Sequence, residues 1–294
     1  AGVILCLAIA ALYAQLIRTV RKESDMKKIT SKGCISLIPE IAVKKREKSK
    51  KQQLLLTNKR VDWGFKQSVQ AAQLRIEKQM EQEHKQVLLV SSTLPQEGKS
   101  MTAVNLALAF MQHEKKTVLI DGDLRKPSVA EMLGMEEQKG LAEYLKGNAK
   151  VKEVLQKKGD LTVIQGGKVH GNISSLMDES RMEELMTFLK SEFDYVIIDT
   201  PPAYLFSDAA ILAGYADRVL YVVRHDMAEI PQIEKGMESF IQEDKLLGYL
   251  INRSQKGFAS YGKYGYGKYG YGKYGKYQRY VDVKEDDMDT EDSL

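Results

Sequence analysis

The sequence contains few of the side chains that build disulfide frameworks or metal sites. Its 294 residues include two cysteines, Cys6 and Cys34, and four histidines. Two cysteines make no disulfide framework, and these two stand in no metal-ligand spacing. The histidines are scattered along the chain and form no ligand-like pair. The composition therefore excludes a disulfide scaffold and argues against a metal held by histidines.

A large excess of either charge is also absent. The formal net charge is +4, but basic residues crowd the first sixty positions and the last dozen are acidic. The net charge of the whole chain therefore indicates little about binding partners, and local clusters of charge indicate more. A hydrophobic content of 43% is enough for one sizeable core with appendages.

The chain does not begin with Met, and its first seventeen residues carry no charged side chain. A bilayer core needs about twenty apolar residues, so residues 1–17 are predicted to be a truncated transmembrane segment. Arg18, Arg21 and Lys22 follow, which places this flank in the cytoplasm under the positive-inside rule. A signal peptide would need basic residues before the apolar run and a cleavage site after it. A buried helix is the alternative.

The rest of the chain divides into four parts. Residues 18–60 are predicted to be a basic juxtamembrane linker, either solvated or in contact with anionic lipid. Residues 61–258 alternate apolar strands with helices, which indicates an α/β domain with a mostly parallel sheet flanked by helices. Helices are predicted over 65–84, 98–113, 127–157, 178–192, 208–213 and 231–243, and strands over 87–92, 117–121, 161–165, 195–199, 218–223 and 246–252.

The two last parts differ in composition from everything before them. Residues 259–280 repeat tyrosine, glycine and lysine, and residues 281–294 are acidic. Glycine at this density favours no helix or packed strand, so this segment is predicted to be unstructured and accessible. Eight of the fifteen tyrosines lie in it: Tyr261, Tyr264, Tyr266, Tyr269, Tyr271, Tyr274, Tyr277 and Tyr280.

The strongest motif follows the predicted strand 87–92. Residues 93–100 fit the pattern G-x-x-x-x-G-K-[ST], except that Thr93 stands in the place of the first glycine. In such a loop the backbone N–H groups and a helix N-terminus bind phosphates. Lys99 would add a positive charge for the β- and γ-phosphates, and Ser100 a hydroxyl for Mg²⁺.

Two further motifs end apolar strands in carboxylates. Asp121 and Asp123 follow the first, and Arg125 comes two residues later. Asp199 ends the second, as in a Walker B strand. In open α/β sheets, ligands bind at the carboxyl ends of the strands. For Asp121 and Asp123, a turn with solvated acids is the alternative, but such a turn would not need an apolar strand directed at the phosphate loop.

Together these motifs resemble the bacterial tyrosine kinases of exopolysaccharide and capsule systems. Residues 91–100 are similar to that family's phosphate loop, Asp121 to Arg125 to its additional Walker motif, Asp199 to its Walker B residue, and the tyrosine cluster to its autophosphorylation tail. Residues 1–39 resemble the end of the family's membrane activator domain. The resemblance implies a P-loop kinase that uses ATP and Mg²⁺ and phosphorylates itself.

The resemblance also assigns roles to particular residues. The catalytic residues would be Lys99, Asp121, Asp123 and Arg125, with Asp121 accepting the tyrosine proton and Arg125 stabilising the transferring phosphoryl group. Mg²⁺ would be held by Ser100, Asp121, Asp123 and Asp199. The nucleotide would be bound by Thr93, Leu94, Pro95, Gln96, Glu97, Gly98, Lys99, Ser100, Met101 and, at the base, Asn252.

The family further implies partners and a location. The partners would be other copies of the chain in a ring with phosphorylation in trans, the membrane activator domain, a tyrosine phosphatase and the polymer export machinery. The location would be the bacterial inner membrane, with the kinase in the cytoplasm. The family's Glu-x-x-Arg-x-x-Arg contact motif is missing from the helix at 65–75, which puts assembly through that helix in doubt.

Two other functions are compatible with parts of the sequence. A partitioning or division-site ATPase of the ParA/MinD type would share the fold, but its signature lysine is replaced by Leu94. A membrane scaffold with a tyrosine-rich tail would leave the three motifs unexplained. Nucleic-acid binding by the tail is disfavoured by the acidic end.

Overall fold

The computed structural model describes residues 18–41, 54–168 and 179–254. The predicted transmembrane segment, the Lys-rich run at 44–51 and the tyrosine cluster lie outside these ranges. Within them, no helix is both long enough and apolar enough to cross a bilayer.

The described residues form alternating helices and strands around one sheet. The helices are α1 Glu23–Met26, α2 Trp63–Gln82, α3 Lys99–Gln112, α4 Val129–Leu133, α5 Leu141–Leu145, α6 Val151–Val154, α7 Glu179–Glu192, α8 Asp208–Ala213 and α9 Ile230–Gln242. The strands are β1 Cys34–Pro39, β2 Val87–Ser92, β3 Thr117–Asp121, β4 Gln156–Lys158, β5 Leu161–Ile164, β6 Tyr195–Asp199, β7 Arg218–Arg224 and β8 Leu246–Ser254.

The sheet has the strand order β1-β8-β7-β2-β6-β3-β5-β4. All neighbouring strands are parallel except β4, which pairs antiparallel with β5. Parallel strands need helical crossovers, and these crossovers cover both faces of the sheet. The carboxyl ends of β2, β3 and β6 therefore meet at one edge. The predicted P-loop α/β fold is confirmed.

A hydrophobic core fills each face of the sheet. On one face α2 and α3 contribute Phe65, Ile76 and Phe110, and all three side chains are buried against the strands. On the other face α7 and α9 contribute Leu185 and Phe240. Residues of β2, β3 and β6 are buried along their whole length, which explains their continuous apolar sequence.

The assignment of residues 18–60 to a linker was wrong for its central part. Residues 34–39 form β1, which pairs in parallel with β8 from the far end of the domain. Val20 and Met26 are also fully buried in the core. The strand was missed because it is short, ends in a proline and receives its pairing from residues more than two hundred positions away.

The single helical region predicted over 127–157 was also wrong. Three short helices, α4 to α6, and the edge strand β4 occupy it. Glycines at 134, 140 and 147 interrupt the apolar pattern, and Gly134 ends α4 in the left-handed conformation with φ 63°. Since a left-handed residue typically ends a helix, the apolar periodicity across this position does not continue one helix.

Candidate active site

The phosphate loop joins β2 to the N-terminus of α3. Gly98 is the residue before the helix and has φ 96°, a conformation that suits glycine. A Cβ at this position would lie 2.1 Å from Nδ2 of Asn252, and that Nδ2 donates to the carbonyl of Glu97 at 2.7 Å. Asn252 therefore lies directly against the loop, as its assignment to nucleotide binding requires.

The exceptional residue of the loop, Thr93, is turned inwards. Its side chain is fully buried, and its Oγ1 lies 3.1 Å from the hydroxyl of Tyr221 on β7. Pro95 and Gln96 at the tip of the loop are exposed, and Leu94 is half-buried. The loop thus has a buried start and a solvent-facing tip.

The carboxylate of Glu97 holds the end of the loop. It accepts hydrogen bonds from the backbone N–H of Leu94 at 2.6 Å and of Arg224 at 3.2 Å. Burial raises the pKa of Glu97 to about 7, although these N–H groups favour the ionised form. The residue therefore connects the phosphate loop to the end of β7.

Lys99 lies among the three predicted carboxylates. Its Nζ is 2.8 Å from Oδ2 of Asp123 and 3.6 Å from Oδ1 of Asp199, and it is 3.1 Å from Oγ of Ser100. All of these side chains are buried. Burial lowers the pKa of Lys99, but the charges of Asp199 and Asp123 raise it by more, so the lysine stays charged.

Asp121 is buried beside this cluster. Its Oδ2 accepts hydrogen bonds from the N–H groups of Ser128 at 2.8 Å and Val129 at 3.0 Å. Burial, followed by the charge of Asp199, raises the pKa of Asp121 to about 7. Burial also raises the pKa of Asp199, although Lys99 opposes this shift. Such shifted carboxyl groups in a cleft are typical of functional sites.

The carboxylates fit a hydrated cation. In the described part of the chain, Oδ1 of Asp121 and both carboxylate oxygens of Asp199 are buried without a hydrogen-bond partner. No group of three or more His, Cys, Asp or Glu side chains in the same ranges is arranged to hold a metal ion by itself. Magnesium at such sites usually keeps several waters and binds substrate phosphates, so it needs no complete protein cage.

Arg125 is held by a carboxylate of the first turn of α8. Its Nε and Nη2 donate to the two carboxylate oxygens of Asp208, at 2.5 and 3.2 Å, and its guanidinium lies 4.2 Å from the centre of the Phe206 ring. About a third of its side chain is exposed, so part of the guanidinium faces solvent.

An apolar cleft opens beside the start of α3. Its lining includes Ile38 of β1, Phe65 of α2, Met101 and Thr102 of α3, and Asn252 of β8. Met101 and Asn252 were both expected to contact the nucleotide. Apolar walls with the amide groups of Asn105 and Asn252 suit a nucleobase.

Three site residues were not found from the sequence. Tyr221 and Arg224 lie on a strand that appeared to contribute only to the core, and Asp208 begins a short helix. A tyrosine in an apolar strand and an acid in the first turn of a helix are both common for purely structural reasons. The sequence contained no signal that separates them from such residues.

Two curated proteins are similar to this chain over most of their own length. The tyrosine-protein kinase CpsD of Streptococcus agalactiae is 35% identical over 183 residues, which are 61% of this chain and 80% of that protein. The tyrosine-protein kinase YwqD of Bacillus subtilis (strain 168) is 35% identical over 182 residues, which are 60% of this chain and 77% of that protein.

The fold comparisons agree with these relatives. The crystal structure of the chimerical protein CapA2B2 matches with a TM-score of 0.71 and 25% identity, covering 80% of this chain and 100% of that one. Residues 83–212 match the family described as ParA: NUBPL iron-transfer P-loop NTPase, which reflects the fold shared with such ATPases. The kinase relatives extend further along the chain. It therefore belongs to the family of bacterial tyrosine-protein kinases, as the motifs indicated.

Proposed function

We propose that this chain is an ATP-dependent protein-tyrosine kinase that phosphorylates itself and regulates the polymerisation and export of exopolysaccharide or capsule. The observation that carries the proposal is the position of Lys99. Its Nζ links the phosphate loop to Asp123 at 2.8 Å and to Asp199 at 3.6 Å. Phosphate-binding and carboxylate groups therefore share one buried site, as phosphoryl transfer requires.

The nucleotide binds along the loop and the adjoining cleft. The phosphates contact the loop N–H groups and the N-terminus of α3, where the helix dipole favours negative charge. Lys99 turns from the carboxylates to the β- and γ-phosphates. The base enters the apolar cleft between Phe65 and Met101, with Asn252 at its rim.

The Mg²⁺ site is formed by Ser100 and the carboxylates. Bound Mg²⁺ would neutralise charge that develops on the β- and γ-phosphate oxygens. Ser100 would hold the ion through its hydroxyl, and Asp123 and Asp199 would hold it through its hydration shell. The buried oxygens of Asp199, which have no hydrogen-bond partner within the described residues, support this assignment.

Asp121 accepts the proton of the substrate tyrosine. The phenol oxygen forms a bond to the γ-phosphorus, the bond from that phosphorus to the bridging oxygen breaks, and ADP leaves. The proton passes to Oδ1 of Asp121, which has no hydrogen-bond partner within the described residues. A tyrosine with a pKa of about 10 gains from such a base.

Arg125 stabilises the transferring phosphoryl group. Two of its donors are held by Asp208, and the others can contact the transferring phosphoryl oxygens. Asp208 thereby limits the positions that the guanidinium can take. A fixed arginine stabilises developing charge better than a mobile one because it needs no reorganisation during the reaction.

The acceptors are the eight tyrosines between Tyr261 and Tyr280, and transfer takes place between copies of the chain. The further partners are a membrane activator domain, a tyrosine phosphatase and the polymer export machinery at the inner membrane. Each phosphate adds about −1.5 to −2 charges at pH 7, so repulsion between modified tails would loosen an assembly of subunits. An autophosphorylation rate that does not change on dilution would exclude transfer in trans.

Intact mass after incubation with Mg·ATP tests the proposal. We expect a series of species that differ by one phosphate each, with the modified peptides mapped to the tyrosine cluster. Lys99→Met should abolish the series, and Asp121→Asn should slow it by about 10²- to 10⁴-fold. Lys235→Met, a change of an exposed lysine on α9, is the matched control and should leave the series unchanged. An unmodified parent protein would refute the kinase proposal.

The second candidate is an ATPase of the ParA/MinD type, which the family match over residues 83–212 favours. Such a protein would release ADP and phosphate with no change in its own mass. Leu94 stands where that group has its signature lysine. Release of ADP and phosphate without any change in the mass of the protein would identify the second candidate.

A further inference from the structure

The start of the phosphate loop has an unusual attachment. Thr93 occupies the position where the general motif has a glycine, so the loop must accommodate a side chain there. That side chain is fully buried, and its Oγ1 lies 3.1 Å from the hydroxyl of Tyr221. Two buried hydroxyl groups therefore satisfy each other beneath the loop.

Tyr221 is itself fixed in position. It lies in the middle of β7, paired in register with Ser91 on the strand that leads into the loop. Its ring centre is 6.2 Å from that of Phe240 on α9. A Cβ on Gly236 of the same helix would lie 2.3 Å from the tyrosine hydroxyl. The glycine thus leaves the space in which this hydroxyl lies.

The hydroxyl is available as a donor throughout the neutral pH range. Burial raises the pKa of Tyr221 above its ordinary value. The fully buried phenol therefore stays protonated, and either hydroxyl of the pair can be the donor.

We propose that Tyr221 is a positioning residue for the nucleotide: its hydroxyl fixes Thr93 and thereby the start of the phosphate loop. The inference rests on the proposed function of this loop in ATP binding. The far end of the loop is held separately, by Glu97 and the N–H of Arg224. Because both attachments lead to β7, this strand aligns the loop N–H groups with the phosphates.

Removing one hydroxyl tests the assignment. Tyr221→Phe keeps the ring and leaves Thr93 without its partner. We expect the Kd for Mg·ATP, measured by calorimetry, to rise about three- to tenfold, the loss that corresponds to one neutral hydrogen bond. KM for ATP should rise by a similar factor, while kcat changes less than about twofold.

Tyr249→Phe is the matched control. Tyr249 is a buried tyrosine on the neighbouring strand β8 and pairs in register with Tyr221. Its side chain has no role in the proposed nucleotide binding or phosphoryl transfer. We expect this variant to keep the parent's Kd for Mg·ATP even if its melting temperature falls. A rise in Kd equal to that of Tyr221→Phe would mean that loss of any buried tyrosine hydroxyl weakens binding, and would overturn the proposal.

The double variant Tyr221→Phe/Thr93→Val tests whether the two hydroxyls act together. Removing both partners of a buried pair is nearly neutral compared with removing one. The double variant should therefore bind Mg·ATP no more weakly than Tyr221→Phe alone. A double variant that binds Mg·ATP more weakly than Tyr221→Phe would show that the two groups act independently, and an unchanged Kd in Tyr221→Phe would show that the pair is only structural. Either result overturns the proposal.

The binding measurement also separates this inference from the proposed function. If the parent protein binds Mg·ATP without phosphorylating itself, and Tyr221→Phe weakens that binding, the positioning role stands and the kinase proposal fails. If the parent phosphorylates itself and Tyr221→Phe has the parent's Kd and KM, the kinase proposal stands and the positioning role fails.

Discussion

The middle of the sheet and its two outer strands differ in how strongly their own sequence specifies them. Strands β2, β3 and β6 are buried at every position and contain unbroken apolar runs. The outer strands β1 and β4 have shorter apolar runs, and β4 contains two exposed lysines. A strand that is covered on both faces must be apolar throughout, so its sequence indicates a strand. An outer strand is less buried, and its formation depends on pairing with the neighbouring strand.

The middle and outer strands also differ in what they contribute to the site. The middle strands end in the phosphate loop, Asp121 and Asp199, while the outer strands contribute no catalytic side chain within the described residues. We expect the middle of the sheet to tolerate the least change.

The largest stability effect is expected in β6. Ile197 is fully buried and lies opposite Leu88 of β2 and Leu119 of β3. Ile197→Ala would leave a cavity with strands on both sides, which limits relaxation, and should lower the free energy of unfolding by about 3–5 kcal/mol. Denaturant unfolding measures the change. Ile197→Val, the smaller deletion at the same site, should cost only about 0.5–1.5 kcal/mol, and equal losses would contradict a cavity effect.

A smaller but clear effect is expected in β1. Ile35 is buried in the core on the α2 face. Ile35→Ala should lower the free energy of unfolding by about 2–3 kcal/mol, towards the lower end of the range because an outer strand relaxes more easily. Lys28→Ala, in the same segment but exposed, is the control and should change it by less than about 0.5 kcal/mol. Two equally small changes would mean that this segment is not part of the folded domain.

The buried strands of the sheet could be predicted from the sequence, whereas the outer strand β1 and the short helices could not. The six strands predicted between residues 87 and 252 all form, each with ends within two residues of the predicted ones. Their apolar runs result from burial, which sequence records directly. The strand at 34–39 depends on pairing with a distant strand, and the three helices after residue 127 depend on local chain reversals. Neither cause produces a periodic pattern of apolar residues in the sequence.

A third effect concerns pH and the loop that follows β2. The pKa of Glu97 is raised to about 7 by burial, from 4.5. The folded state thus holds this proton more tightly than the unfolded chain, so the stabilising contribution is present below the ordinary value and is lost as the pH rises through 7. Between about pH 5.5 and about pH 8, the parent should lose about 1–2 kcal/mol of unfolding free energy to this group.

Glu97→Gln should remove that part of the pH dependence. The variant loses an acceptor for one N–H and starts from a lower stability, so the informative quantity is the difference between the two pH values. Asp121, whose pKa is also raised to about 7, titrates in both proteins and cancels in the comparison. Glu114→Gln, at an exposed site, should keep the parent's dependence. An identical pH dependence in Glu97→Gln and the parent would mean that Glu97 does not titrate in this range.

The site was predictable to the extent that its chemistry lies in contiguous motifs. Lys99, Ser100, Asp121, Asp123 and Asp199 were named from strand ends and loop spacing, and the structure brings them together. The residues that hold others in place, Tyr221 and Asp208, lie in separate elements and act through single side-chain contacts. Such contacts depend on distances between strands and helices, which no spacing along the chain encodes.

The smallest effect is expected in β4. Lys157 is exposed on this outer strand, and Lys157→Ala should change the unfolding free energy by less than about 0.5 kcal/mol. Its neighbour Gln156 is different, because its amide donates to the carbonyl of Lys139 at 2.9 Å and its oxygen accepts from Gln165. Gln156→Ala would remove both hydrogen bonds, although Gln165 keeps its bond to the carbonyl of Glu136, and should cost about 1–2 kcal/mol. A larger loss for Lys157→Ala than for Gln156→Ala would mean that the strand is held by its exposed face. A larger loss for Gln156→Ala, as expected, means instead that one buried amide holds β4 in place. The sequence of β4 is too polar to indicate a strand by itself.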